Sequence, residues 1–400
     1  MPVSSVVCFV IFRFFSQTDS LGKCPILPIA EKMSAPKVVP KVVLINMSVL
    51  IIGILFIEIF FGDWLIDNRL FFTRIPRDMI LEIPVDHVYG APGGKTLYSR
   101  DKYGFRGSYE DLESIDILTV GGSTTDQRYI DDQQTWQHEL KRRLEEKIGK
   151  QISVVNAGVD GQSTFGHIMN FDYWFSYIPR LQPDYILYYV GINDIQRAML
   201  NDGYDDLNKP DTEKSLKSML KPLVKKSAFY NLWIILVGYS RRTGHMGHKS
   251  VDFSALSWRL EPIPDISTLS VDLKAHLKNY SLRLKDLAQR TRAFGAEPIF
   301  SNQFTHKTQV SGPFIRIPMT QSSQVALGRF QLEYSYAVET MRVCLEVRAL
   351  CVDLYTMLRE NMTDTDYYNW AHNTPAGAEK IGQAIANVLG SKNIPLDHKK

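Results

Sequence analysis

The stretch IDILTVGGSTT, residues 115–125, contains the pattern on which the fold depends. It begins with a short, mostly apolar run, Ile115–Val120, and continues into Gly121, Gly122 and Ser123. A strand buried in a parallel sheet reads as such a run, and glycines commonly mark the turn that follows it. We therefore predict a buried strand that ends just before Ser123.

From about residue 113 the chain alternates strands and helices. The helix after the first strand carries an apolar stripe and ends at Gly149; the stripe consists of Trp136, Leu140, Leu144 and Ile148. Further buried strands are predicted at Ile152–Asn156, Tyr185–Val190, Ile299–Ser301 and Ala349–Leu354. The helices between them are predicted near residues 164–180, 270–294, 321–347 and 375–389. This alternation predicts an α/β fold of three layers, α/β/α, with a central parallel sheet.

Composition and charge exclude several classes of protein. The 400 residues are 44% hydrophobic and 22% charged, with a net charge of +3, which is typical of a folded protein with a full-sized core. The basic residues are scattered among acidic ones, so we expect no nucleic-acid partner. The 4 cysteines and 9 histidines have no metal-ligand spacing, and the pair His245 and His248 is too small to form a metal site. We expect neither a metal nor a cofactor.

Residues 42–62 are predicted to form one transmembrane helix. The run Val42–Phe61 is interrupted only by Asn46, Ser48 and Glu58. At about 1.5 Å per residue it can cross a hydrocarbon layer about 30 Å thick. The alternative is a buried core helix, but a run this long without amphipathic alternation favours an uncleaved membrane anchor.

The basic residues flanking this helix nearly balance, so they give little information about orientation. On the nearer flanks, Lys37 and Lys41 precede the helix, and Asp63 and Asp67 follow it. We therefore favour a cytoplasmic N-terminus, which places the following domain on the extracytoplasmic side, periplasmic or outer.

Three short segments follow predicted strands, and a fourth opens the last helix. After GGSTT they are NAGVDG at 156–161, GIND at 191–194 and HNTP at 372–375. The carboxyl ends of parallel strands meet at one edge of a sheet, so one crevice can collect Ser123, Gly161 and Asn193. A serine hydroxyl becomes nucleophilic beside an imidazole, and the tetrahedral intermediate needs donors aimed at its oxygen. The pattern predicts acyl transfer through serine.

Each of these residues also has a purely structural interpretation. Ser123 suits a helix N-cap, Gly161 a loop, and Asn193 a turn. His372 could be a surface residue before a junction in which Thr374 caps the helix and Pro375 is its first residue. The convergence of all the segments on one crevice favours catalysis.

The blocks GGSTT, NAGVDGQST, GIND and YNWAHNTPAG resemble the four signature blocks of the SGNH (GDSL-type) hydrolase superfamily, in the expected order over about residues 113–390. The resemblance implies that Ser123 is the nucleophile and His372 the base. It also implies an oxyanion hole made by the backbone N–H groups of Ser123 and Gly161 and the side-chain amide of Asn193. The segment DKYGFRG, 101–107, is similar to one in many membrane-anchored bacterial members, and we expect Arg106 to brace the domain rather than bind an acidic substrate.

Two positions depart from the family pattern. Gly122 stands where the family has an aspartate, a change that we expect to affect the turn more than the chemistry. Asn369 stands three residues before His372, where the family has the aspartate that orients the histidine. Three possibilities follow: Asn369 orients His372, Asp366 or Asp364 completes a triad, or the enzyme is weakened.

The predicted organisation is an N-terminal tail over 1–41, a transmembrane helix over 42–62, a linker and preceding segment over 63–112, a hydrolase-like domain over 113–390 and a tail over 391–400. The role of residues 1–32 stays open. An insertion at about 197–266 is long enough to be functional or to cover the crevice. Its basic amphipathic part, 216–242, either packs on the domain or lies on anionic lipid.

We expect a serine-dependent acyl-ester hydrolase acting on O-acylated cell-envelope glycan or a small acylated molecule. An O-acetyltransferase with the same site is one alternative, and a non-catalytic glycan-binding or assembly protein is another.

Cys344 and Cys351 are either disulfide-bonded or two packed thiols. Oligomeric state is not predicted.

Overall fold

The computed structural model describes residues 38–62, 64, 75–90, 92–200, 224, 226–230, 232–233, 248–263 and 271–391. Most of the insertion lies outside the described residues, including His245 and most of the basic segment 216–242. The chain divides into two units, one ending at Ile57 and the other beginning at Glu58.

The described helices and strands are numbered in chain order. The helices are α1 (Val38–Phe61), α2 (Ser123–Asp126), α3 (Trp136–Ile148), α4 (Thr164–Tyr173), α5 (Ile192–Leu200), α6 (Val271–Ala293), α7 (Ser323–Glu346), α8 (Leu354–Leu358) and α9 (Pro375–Ser391). The strands are β1 (Met79–Pro84), β2 (Lys95–Arg100), β3 (Ile117–Gly121), β4 (Val154–Asn156), β5 (Tyr185–Val190), β6 (Trp258–Pro262), β7 (Glu297–Asn302), β8 (Val310–Ser311), β9 (Phe314–Pro318) and β10 (Leu350–Val352).

Helix α1 contains the predicted apolar segment. Its part Lys41–Phe61 has 21 residues and a mean hydropathy of 2.6, so it is long and apolar enough to span a membrane. Its apolar side chains are exposed along the helix, as Leu44 and Leu50 illustrate. The prediction of one such N-terminal helix is confirmed in length and composition.

Five strands form the central sheet of the second unit. Their spatial order is β10-β7-β5-β3-β4, and every neighbouring pair is parallel. The chain leaves β3 toward β4 on one side and then continues to β5 on the other side. The direction of winding therefore reverses at β3, and a crevice opens beyond its carboxyl end. Ser123 lies at that end.

Alternate residues of each strand enter two separate apolar cores. Leu118 and Val120 face one core, and Ile117 faces the other. The first core is completed mainly by α4, α6 and α7, and the second by α3, α8 and α9. A sheet buried on both faces explains why its strands read as nearly continuous apolar runs. The predicted three-layer α/β/α fold is confirmed.

Some predicted boundaries differ from the observed ones. The helix predicted over 164–180 ends at Tyr173, after which a short 3₁₀ turn follows. The strand predicted to reach Leu354 ends at Val352, because Asp353 accepts a hydrogen bond from the N–H of Thr356 and caps α8.

Two antiparallel elements have no counterpart in the prediction. Strands β1 and β2 pair within 63–112, the range that we predicted as linker and preceding segment. Strands β6, β9 and β8 form a separate small sheet.

Cys344 and Cys351 form a disulfide that joins α7 to β10. Their α-carbons are 5.9 Å apart.

Candidate active site

Ser123 is the first residue of α2, directly after β3. The residues that follow it in this short helix, Thr124–Asp126, are buried, whereas Ser123 is partly exposed at the crevice. A β-carbon at position 122 would lie 2.1 Å from Nδ2 of Asn193, so a side chain there would displace this amide. Glycine at position 122 thus leaves room for the Asn193 amide beside the turn that carries Ser123.

His372 connects Ser123 to Asn369 through its two ring nitrogens. Nε2 lies 2.8 Å from the Ser123 hydroxyl oxygen, and Nδ1 lies 3.0 Å from Oδ1 of Asn369. The same Oδ1 accepts hydrogen bonds from the backbone N–H groups of Ala371 and His372, at 3.0 and 2.9 Å. An oxygen that accepts these bonds requires the proton of the neutral ring to be on Nδ1. Nε2 is therefore left as the acceptor for the serine proton.

The imidazole of His372 is held in its neutral form. Burial is the main effect and lowers the pKa of His372 to about 3, and repulsion from His248 acts in the same direction whenever that ring is protonated. At neutral pH the ring is therefore the unprotonated base that serine activation requires.

The segments that carry the three predicted oxyanion donors adjoin one another. Gly161 has a φ of +74°, a left-handed conformation that suits glycine. The Asn193 side chain donates one N–H to the carbonyl oxygen of Gln162 at 2.8 Å, so its other N–H stays available. Within the described residues, no hydrogen bond is made by the backbone N–H groups of Ser123 and Gly161.

The structure does not bring Asp366 or Asp364 to His372. The Asp366 carboxylate accepts from the backbone N–H of Thr363 and pairs with Lys380 at 2.6 Å. Asp364 pairs with His306 at 2.8 Å and with Arg316 at 2.7 Å. Both carboxylates are engaged by other partners. Of the three candidates, Asn369 is the one whose side chain hydrogen-bonds to the imidazole of His372 among the described residues.

The polar residues of the family blocks also hold the blocks together. Asn156 donates from Nδ2 to the carbonyl oxygen of Thr125 at 2.6 Å, which joins the second block to the nucleophile turn. Asp194 is buried, pairs with Arg283 at 3.2 Å and accepts from the N–H of Thr164. These bonds connect the segments that carry Ser123, Gly161 and Asn193.

Two arginines from the N-terminal hairpin region brace the nucleophile turn. Arg100 is buried and pairs with Asp126 at 2.5 Å, and it also donates to the carbonyl oxygen of Gly158. Arg106 is buried, pairs with Asp132 and donates to backbone carbonyls that follow the turn. Arg106 therefore has the bracing contacts that we expected of it.

Two further residues beside the site were not identified from the sequence. The ring of His248 stacks on that of His372, with centroids 4.1 Å apart. The Asp160 carboxylate interacts with the Ser123 hydroxyl and with His248. Asp160 had a visible signal, since it precedes Gly161 in the second block. His248 had no such signal in the sequence, because it lies within a long insertion.

Within the described residues, no group of three or more His, Cys, Asp or Glu side chains is arranged to hold a metal ion.

This fold and this arrangement of serine, histidine and oxyanion donors define a class of acyl-ester hydrolases. A family model described as GDSL-like lipase/acylhydrolase matches residues 117–385, and the chain belongs to this family. Membership indicates an esterase-type hydrolase. The search of curated proteins finds no match.

Among solved structures, the chain is similar to three bacterial esterases or lipases. A variant of an acetyl xylan esterase from Geobacillus stearothermophilus is 14% identical, with 68% of this chain and 94% of that chain covered and a TM-score of 0.38. The esterase EstA from Pseudoalteromonas sp. is 11% identical, with 69% and 97% covered and a TM-score of 0.35. A lipase/acylhydrolase from Enterococcus faecalis is 12% identical, with 70% and 97% covered and a TM-score of 0.37.

Proposed function

We propose that this protein is a serine-dependent acyl-ester hydrolase that works through an acyl-enzyme on Ser123. The observation that carries the proposal is the continuous path from the Ser123 hydroxyl to His372, at 2.8 Å, and on to Asn369, at 3.0 Å. Ser123 comes from the start of α2, and His372 and Asn369 come from the loop before α9. Ser123 and His372 are 249 positions apart in the sequence. Their alignment is the arrangement that activates a serine.

In the proposed reaction, Ser123 Oγ attacks the ester carbonyl carbon and its proton passes to Nε2 of His372. The carbonyl oxygen becomes an oxyanion that accepts from the N–H groups of Ser123 and Gly161 and from the Asn193 amide. The C–O bond to the alcohol then breaks, and His372 returns the proton to the departing alcohol. Water attacks the acyl-enzyme in the second half, with the same proton path, and releases the acid.

We propose further that the substrate is an O-acetyl group on a cell-envelope glycan. Helix α1 would anchor the domain, and the nearer flanking charges favour an extracytoplasmic position. The Cys344–Cys351 disulfide supports the same side, because disulfides persist in oxidising compartments. Protease treatment of spheroplasts tests this topology, since only an external domain is digested while the membrane is intact.

Labelling with a fluorophosphonate tests the serine mechanism. The reagent forms a bond between phosphorus and Ser123 Oγ with loss of fluoride, so it requires an activated serine but not the natural substrate. We expect labelling of the wild-type chain and none of Ser123→Ala. A wild-type chain that stays unlabelled where a known family member reacts would instead indicate the non-catalytic glycan-binding protein.

The fate of the acyl group separates hydrolase from O-acetyltransferase. We expect an O-acetylated polysaccharide to yield free acetate at a rate that added oligosaccharide does not reduce. Acetyl groups appearing on the added oligosaccharide, with a matching loss of free acetate, would identify the transferase.

A further inference from the structure

His248 is the first residue of 248–263, the last described stretch of the insertion. Its ring packs face-on against the ring of His372. The ring centroids are 4.1 Å apart, and the planes are inclined by 29°. Nδ1 of His248 lies 3.0 Å from the Tyr368 hydroxyl, and the N–H of Val251 donates to the carbonyl oxygen of Tyr368 at 2.8 Å. The segment that carries His248 is thus fixed to the same loop that carries His372.

Charged groups from neighbouring elements also face His248. Burial is the main effect and lowers the pKa of His248, while the carboxylates of Asp160 and Asp126 oppose this change and Arg128 adds to it. Asp126 ends α2, Arg128 follows it, and Asp160 lies in the loop after β4. The rings of His372, Tyr129 and Tyr368 pack around the imidazole. His248 therefore faces the base in a neutral, half-buried state at pH 7.

Attack by Ser123 converts His372 to a cation, and the residue in the orienting position offers it no negative charge. Asn369 fixes the tautomer but is neutral, so it cannot neutralise an imidazolium. The face of a neutral aromatic ring attracts a cation, most strongly where water is excluded. A stacked ring also restricts rotation of the base, which preserves the alignment of Nε2 with the hydroxyl.

We propose that His248 is a positioning residue that holds the ring of His372 and stabilises its protonated form by stacking. This inference rests on the proposed serine hydrolase function. The proton path is unchanged, since the proton moves from Ser123 Oγ to His372 Nε2 and then to the leaving alcohol. His248 neither gains nor loses a proton, and a protonated His248 would oppose the reaction by charge repulsion.

The test compares substitutions that separate the ring face from the hydrogen bond. His248→Phe keeps an aromatic face and loses the bond to Tyr368, whereas His248→Asn keeps a polar group and loses the face. His248→Ala loses both, and His138→Ala removes an exposed imidazole on α3 as the matched control. For each full-length variant in detergent, the maximal rate of fluorophosphonate labelling and the reagent concentration at half-maximal rate are measured at pH 8, with the thermal midpoint as a check of folding.

We expect His248→Ala and His248→Asn to lower the maximal labelling rate about tenfold without a change in the half-maximal concentration. His248→Phe should stay within about threefold of the wild type on the same argument, and His138→Ala should match it. Equal maximal labelling rates for His248→Ala and wild type would overturn the inference. A lower rate in His248→Phe together with a wild-type rate in His248→Asn would also overturn it, because the hydrogen bond and not the ring face would then matter. Failure of the underlying function looks different, because the wild type would then label no faster than Ser123→Ala.

Discussion

The side-chain oxygen of Asn369 accepts a hydrogen bond from Nδ1 of His372 at 3.0 Å. The bond selects the tautomer that leaves Nε2 facing Ser123. Asn369 orients the ring of His372 but brings no negative charge to it. The site therefore separates two effects that a carboxylate would combine, and each can be tested by substitution.

Asn369→Asp is expected to increase the rate of ester hydrolysis. The new carboxylate would keep the contact with Nδ1 and also stabilise the imidazolium formed during attack. In a serine protease the reverse change, from Asp to Asn, lowers turnover by a factor of about 10⁴. We take this factor as the upper bound on the gain from Asn369→Asp, because this site is built around a neutral residue. Hydrolysis of p-nitrophenyl acetate at pH 8 measures the change in kcat.

Asn369→Ala is the companion variant and should lower kcat, because neither orientation nor charge remains. The thermal midpoints of both variants should stay near that of the wild type if the loop is intact. An equal or lower kcat in Asn369→Asp would show that residue 369 does not occupy the orienting position in the working enzyme.

The acid limb of the pH profile is expected well below the ordinary histidine range. Burial lowers the pKa of His372 to about 3 from its usual 6.5, so the neutral base persists as the pH falls through 6.5. The profile of kcat/KM reports ionisations of the free enzyme and should therefore stay nearly flat between pH 8 and 6. In Asn369→Asp the limb should move to higher pH, since a carboxylate favours the protonated ring. A wild-type midpoint at or above 6.5 would contradict the buried neutral state.

The central sheet could be predicted because its strands are buried on both faces. All residues of β5, Tyr185–Val190, are buried, so the strand reads in the sequence as a continuous apolar run. The hairpin β1–β2 was missed because its strands mix exposed and buried positions, as in Lys95–Arg100. Burial of the one arginine in that strand depends on a tertiary contact with Asp126, which no local pattern reveals.

The site residues that lie in the family blocks could be predicted, whereas their neighbours could not. Ser123 lies just after the end of a strand, and His372 lies just before the start of a helix, and both are recognisable local signals. Asp366 was a reasonable candidate by spacing alone, but its carboxylate is occupied by the N–H of Thr363 and by Lys380. His248 reaches the site through long-range packing, which the sequence does not encode in any short segment.

Introducing a side chain at position 122 is expected to damage the site. A β-carbon on residue 122 would lie 2.1 Å from Nδ2 of Asn193, so the oxyanion donor must move. Loss of one such donor typically costs about 10²–10³ in kcat. Gly122→Ala should show a loss of this size in ester hydrolysis, with KM little changed.

Gly328→Ala is the matched control, since a β-carbon there has no atom within 4 Å and the residue lies inside α7. It should keep full activity and gain slightly in stability, by at most about 1 kcal/mol. Activity of Gly122→Ala at the wild-type level would mean that Asn193 does not need its observed position.

The hairpin region is expected to be part of the folded catalytic domain, and Arg100 provides the test. Arg100→Met would leave Asp126 as an unpaired buried carboxylate next to the nucleophile turn, which typically costs about 3–5 kcal/mol. A loss of this size lowers the thermal midpoint in detergent by several degrees. Lys95→Met, which breaks an exposed pair with Glu82 in the same hairpin, should leave it unchanged. The double variant Arg100→Met/Asp126→Asn should recover part of the loss, because no charge is then buried alone. Equal midpoints for Arg100→Met and Lys95→Met would show that the hairpin adds little to the stability of the domain.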